Sequence, residues 1–344
     1  MNSSDERRRT SRFRSSLAFP GHGRTLALAA ALLGGGAEVA FAQTAPAVEQ
    51  PVVITIQSTD NVLYRGDTFD YSKIAKSASM TTSVNTAFLM SVNVGDIRTI
   101  NGMPAKGIQS YQVLALPFRA LPQPGQVMAD VDSGGLMQCV WQILSSDGKY
   151  IGMLYDNGTV GLEHVVIGGS GLFQGITGVH AIMAMAASPA QRGASTSEDP
   201  AVRRILGGGQ FTTVFALYPK TRPTVIATAN GLAVVHRDGK LVSSQNPAQA
   251  GEVLTLYATG LGPTTPSVTI GQPFPADVLA LTNAPVGVLA NGKPSEVLYS
   301  GGESGAVDRY QVNFRLPDTL ATGSAVLQLT AAWIPGPEIA IAIK

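Results

Sequence analysis

Met137, Cys139, Trp141 and Ile143 alternate with Gln138 and Gln142 along 136–144. A period of two is that of a β-strand with one buried and one wet face. Runs of similar length at 52–56, 86–94, 110–116, 127–131 and 150–155 predict a succession of strands. Asn-Gly, Pro-Gly, Ser-Gly-Gly and Asp-Gly part them and supply hairpin turns. Between the first two runs, Asp60, Tyr64, Arg65, Asp67, Asp70 and Tyr71 predict a polar loop. The stretch 161–185 is crossed by glycines at 168, 169, 171, 175 and 178, which in strands signal bulges, corners or close backbone approach. A closing strand is expected at 210–217. The segment 186–206 before it reads as a surface excursion with one short helix, capped by Ser195 and Glu198.

Pro219 to Pro223 marks the boundary to a second strand-rich half. There the pattern predicts strands at 224–228, 233–236 and 241–243, with a tight Asp238-Gly239 turn. In the stretch 246–266 the Pro and Gly corners bracket a strand in which Val253, Thr255 and Tyr257 alternate with Leu254, Leu256 and Ala258. Tyr310, Val312 and Phe314 alternate in the same way, and late strands follow at 325–331 and 339–343. A chain of 344 residues is long enough for two domains. With Gly 38, Pro 21 and only 14% charged residues, it favours turns and short strands over long amphipathic helices.

The first 42 residues read differently. Arg7, Arg8, Arg9, Arg12, Arg14 and Arg24 precede the apolar run 25–33, and Ala40-Phe41-Ala42 has the form of a peptidase site. This predicts a signal peptide over 1–42, a linker over 43–51, and a periplasmic, extracellular or cell-surface destination. The run is too short to span a bilayer, so no transmembrane segment is expected after its removal. Without 1–42 the net charge is −2, which gives no basic footprint for nucleic acid. Cys139 is the only cysteine, so no internal disulfide can form; it reads as a small core hydrophobe.

The segment GGSGLFQGITGVH at 168–180 resembles a segment of the dirigent and allene oxide cyclase families. The resemblance implies a calycin-like antiparallel β-barrel of about eight strands over 52–218, with 186–206 as an insertion. Asn246-Pro247, Gly251-Glu252, Gly260-Leu261-Gly262-Pro263, Asn291-Gly292, Tyr310-Gln311-Val312-Asn313 and Leu316-Pro317 are similar to the Solibacter-type C-terminal domain of exported bacterial proteins. That resemblance covers 223–344 and implies an immunoglobulin-like β-sandwich of unknown activity.

Catalytic signatures are sparse. His164, His180 and His236 fall in different expected strands without His-x-His or His-Glu-x-x-His spacing, so neither a metal nor any other cofactor is expected. Asp130-Val131-Asp132 lacks the later ligands of a calcium loop. Gly169-Ser170-Gly171 is followed by Leu172 rather than glycine, which breaks a nucleophile elbow. A barrel of eight strands can hold one small ligand, and the candidate lining groups are Tyr64, Asp130, Gln138, Gln142, Tyr155 and Glu163. Three roles stay open: a non-catalytic binding, adhesion or envelope module; a dirigent-like or cyclase-like barrel for a small hydrophobic or phenolic substrate; and a carbohydrate-binding accessory protein. The last would draw on Trp141, Trp333 and the tyrosines for stacking. The implied partners are a small hydrophobic ligand or a cell-surface glycan.

Overall fold

The computed structural model describes residues 50–65, 89–115, 135–159, 163–184, 191–195 and 197–344. The signal segment, the strand expected at 127–131 and Asp130 lie outside them. The described chain is all-β with one helical turn. Its first ten strands are β1 (Val52–Arg65), β2 (Leu89–Ile100), β3 (Met103–Pro104), β4 (Lys106–Ala115), β5 (Gly135–Leu144), β6 (Tyr150–Gly158), β7 (His164–Gly171), β8 (Thr177–Ala184), β9 (Arg192–Ser195) and β10 (Gly209–Tyr218).

Eight of these, in the order β2-β4-β5-β6-β7-β8-β10-β1, form an antiparallel sheet that a β1–β2 pairing closes into a barrel. Alternation sends one face inward. Ile54, Ile56, Trp141, Ile143, Leu154 and Phe215 are each fully buried, while Val53, Ile108 and Val140 are exposed on the outside. Two glycines explain the tight β7–β8 corner: a Cβ on Gly169 would stand 2.5 Å from the Phe173 carbonyl oxygen, and Gly171 has φ +62°.

Two sequence expectations change. The polar stretch is strand rather than loop as far as it is described: β1 continues to Arg65 through a bulge at Asp60, whose φ is 54°, while Asp67, Asp70 and Tyr71 lie outside the described residues. The bulge turns Asn61 inward, where its side-chain amide donates to Ser58 Oγ and the Gly209 carbonyl, so strand pairing survives the polar composition. The excursion is also partly ordered into the sheet, because β9 pairs parallel with 62–65 of β1. The helical turn after it, α1 (Arg203–Leu206), follows a 3-10 turn capped by Asp199 rather than Ser195. Glu198 instead takes two hydrogen bonds from Arg192, at 2.9 and 2.7 Å.

The second half is a barrel-like antiparallel sheet. Its path runs β11 (Thr224–Val225), β15 (Val253–Thr259), β20 (Tyr310–Arg315), β19 (Lys293–Gly302), β18 (Val286–Ala290), β21 (Gly323–Ala331) and β22 (Ile334–Ile343). Short pieces complete it: β12 (Ala227–Thr228) with β13 (Gly231–Leu232), β14 (Val234–Val235) on β15, and β16 (Thr264–Thr265) with β17 (Leu281–Thr282). Leu254, Leu256, Val312, Phe314 and Leu327 fill its interior. The two halves touch where Asn283 Nδ2 donates to the Tyr150 carbonyl at 2.8 Å and Gly262 lies against Leu172. Residues 48–344 form one compact unit.

Candidate functional site

The barrel's register brings together four chemically active side chains that lie far apart in sequence. Cys139 on β5 pairs across the ladder with Asp156 on β6, and His164 on β7 pairs with His180 on β8. All four point inward from consecutive strands and are buried, each at 3% exposure or less. One ligand atom from each lies within 4.8 Å of the others.

Asp156 is the centre of the group. Its Oδ1 accepts from His164 Nδ1 at 3.0 Å, and its Oδ2 accepts from the Trp141 indole N–H at 2.7 Å. His164 Nδ1 also lies 3.7 Å from Cys139 Sγ. Burial alone would raise the Asp156 carboxyl, but the contacts from His164 and His180 and the charge His180 can carry outweigh it. They hold the group well below the ordinary carboxylate range, so Asp156 is an anion at neutral pH. Burial, and then the Asp156 charge, push the Cys139 thiol well above its ordinary value.

His180 is not satisfied. Its Nδ1 stands 3.3 Å from Asp156 Oδ2 but off the hydrogen-bond direction, and neither ring nitrogen has a hydrogen-bond partner. The ring is wedged by Trp141, Phe215 and His164, with centroids at 5.8, 4.9 and 4.6 Å. A buried polar atom left without a partner costs about 1–3 kcal/mol.

A second polar group lines β1, β2 and β4. Gln109 Nε2 donates to Asn61 Oδ1 at 2.6 Å and Asn93 Oδ1 at 2.7 Å, and Asn93 Nδ2 donates to Gln191 Oε1 at 3.3 Å. Gln109 Oε1, Tyr64 Oη and Thr213 Oγ1 are buried without partners. On the wall beside α1, Asp96 Oδ2 accepts from Arg204 Nε at 2.5 Å, and Arg203 pairs with the same carboxylate.

Of the lining groups expected from sequence, only Tyr64 is placed inside. Gln138 is exposed; Gln142 and Tyr155 are half-buried on the outward face, where the Tyr155 hydroxyl meets Met153 Sδ; Glu163 is exposed. The reason is parity: Cys139 and Trp141 face inward, so Gln138 and Gln142 face out, and Leu154 and Asp156 turn Tyr155 outward. Asp130 lies outside the described residues. Asp156 was missed because the strand was expected to end at Tyr155, one residue before it. The hairpin turn at Asp147-Gly148 was the available signal, since it sets the β5–β6 register. Both tryptophans are buried, so neither offers a stacking face to a surface glycan.

No family model and no curated protein matches the chain. A solved polysaccharide lyase is similar at 8% identity and a TM-score of 0.16, over 86% of this chain and 40% of that one. This chain thus spans less than half the length of that protein, and a likeness at this score carries no argument.

Proposed function

We propose that the protein is an exported binding module whose working site is the polar interior of its barrel. The observation that carries this is His180, a fully buried imidazole whose Nε2 has no hydrogen-bond partner and whose Nδ1 has only the Asp156 carboxylate beside it, at 3.3 Å and off the hydrogen-bond direction. Buried polar groups are ordinarily paired, so an unpaired one facing other donor atoms favours a ligand that completes it. Trp141 and Phe215 pack close around the cluster, which favours a ligand of very few atoms.

The geometry supports holding over turnover. An Asp156 held far below the ordinary range is a poor general base at neutral pH, which weighs against a cyclase-like proton transfer there. The second sheet is read as an immunoglobulin-like scaffold, on the strength of its alternating β15 and β20 and its apolar interior. Export rests on the arginine cluster, apolar run and Ala40-Phe41-Ala42.

The test is a thermal-shift screen of the full chain recovered after export, against metal ions, small anions, phenolics, lipids and glycans. The reading expects at least one class to raise Tm, with the rise abolished by His180→Ala. A flat response across all classes overturns it. N-terminal sequencing of the exported protein should begin at Gln43; a chain retained in the cytoplasm removes the export claim.

A further inference from the structure

We infer that Cys139, Asp156, His164 and His180 are the ligand set of a divalent transition-metal ion, with zinc the ion their chemistry fits best. The inference rests on the barrel interior being the binding site, and it names the ligand.

Spacing is the first argument. Zinc bonds of about 2.0–2.3 Å in a tetrahedron put neighbouring donor atoms about 3.3–3.7 Å apart. The four donor atoms, one from each side chain, all lie within 4.8 Å of one another. His164 Nδ1 is 3.0 Å from Asp156 Oδ1 and 3.7 Å from Cys139 Sγ, and His180 Nδ1 is 3.3 Å from the other carboxylate oxygen, Oδ2. Four side chains from four consecutive strands thus converge on one point, and contraction of the longer separations by about 1 Å would surround one ion.

The donor set is the second argument. One sulfur, two imidazole nitrogens and one carboxylate oxygen do not suit calcium or magnesium, which take oxygen shells. They suit a borderline-soft ion that accepts nitrogen and sulfur in a tetrahedral field.

Charge is the third. Ligation requires cysteine as thiolate and histidine as neutral imidazole. With the Asp156 carboxylate the ligands then carry two negative charges, which a divalent ion cancels. A monovalent or trivalent ion would leave net charge in a dry interior, where it is costly. The same ion gives the unpartnered His180 a bond and converts the Cys139 thiol, otherwise inert, into a ligand.

The surroundings fit as well. The Trp141 indole N–H fixes the carboxylate from behind, as outer-shell partners orient metal ligands. Four protein ligands close the shell, and a closed shell holds an ion without presenting it to a substrate. In a chain that cannot form an internal disulfide, such an ion ties β5, β6, β7 and β8 together.

The full chain, stripped with chelator, is titrated with cobalt chloride and then with zinc chloride. Because Cys139 is the only cysteine, a thiolate-to-cobalt charge-transfer band reports this site without any variant. The expected result is one equivalent of cobalt, intense tetrahedral d–d bands with the charge-transfer band, and bleaching by one equivalent of zinc. Trp141→Phe should weaken binding about 10–100-fold while keeping the band, and Gln138→Ala should change neither. Weak octahedral bands without the charge-transfer feature, or zinc binding undiminished in Cys139→Ala, overturn the inference. If it is overturned while a non-metal ligand still raises Tm in a His180-dependent way, the binding reading stands with another occupant; a flat screen removes both.

Discussion

The two halves share a sheet architecture but differ in what they bury. The second sheet fills its interior with Leu254, Leu256, Val312, Phe314 and Leu327, and its only buried polar residues are Thr264 and Asn283. The barrel buries Asn61, Asn93, Gln109, Asp156, His164, His180 and Thr213 beside its isoleucines and aromatics. Apolar packing alone would stabilise a barrel of this size without the desolvation cost that each polar group brings. The contrast teaches that the second sheet coheres mainly by apolar packing, while the barrel interior coheres by apolar packing together with a buried polar network around Asp156 and Gln109.

The contrast can be broken most severely at Asp156. Asp156→Ala removes the acceptor of His164 and Trp141, and should cost about 1–3 kcal/mol in urea denaturation for each buried donor left unpaired. In the second sheet, Leu256→Ala should cost about 2–5 kcal/mol through cavity formation, but leave ligand-dependent Tm shifts unchanged. An Asp156→Ala variant as stable as the parent would show that the polar cluster is incidental. Trp141→Phe keeps most of the ring volume and deletes one hydrogen bond to a charged group, which should cost about 1.5–3 kcal/mol.

A smaller effect belongs to the scaffold. In the stretch 246–266, Glu252 Oε1 accepts from His236 Nδ1 at 2.6 Å, and the Asn246 carbonyl accepts from Nε2 at 3.1 Å. With acceptors on both nitrogens, the ring is favoured as imidazolium. Partial burial lowers its pKa, yet the Glu252 and Asn246 bonds outweigh that and raise it. A group whose folded pKa is raised adds stability that is fully present below the unfolded value of about 6.5 and is lost as pH rises through the folded value. Urea denaturation at pH 5 and pH 9 should therefore show a His236 contribution only at the lower pH, removed by Glu252→Gln; an unchanged pH profile in that variant would contradict the assignment. The smallest change is expected from Gln138→Ala, which is outward and exposed and should stay within about 0.5 kcal/mol of the parent.

Much of the architecture was legible because strand parity is written in single residues. Met137, Cys139, Trp141 and Ile143 declare an inward face, and the glycines around 169 declare a corner. The bulge at Asp60 was not legible, because it depends on Asn61 finding partners at Ser58 and Gly209, the latter far along the chain. The cluster was hidden for a related reason. Its members are joined by hairpin register, Cys139 to Asp156 and His164 to His180, and no linear spacing between them matches a metal-binding motif. Tyr64 is placed inward and Gln138, Gln142 and Tyr155 outward, because strand parity rather than polarity decides which side chains enter the barrel.

The most direct test of the account is X-ray absorption at the zinc edge on the full chain loaded with one equivalent of zinc. It should show a four-coordinate ion with one sulfur at about 2.3 Å and three nitrogen or oxygen atoms at about 2.0–2.2 Å. A shell without sulfur, or one of six light atoms, would place the ion elsewhere and contradict the claim that the barrel interior is the site.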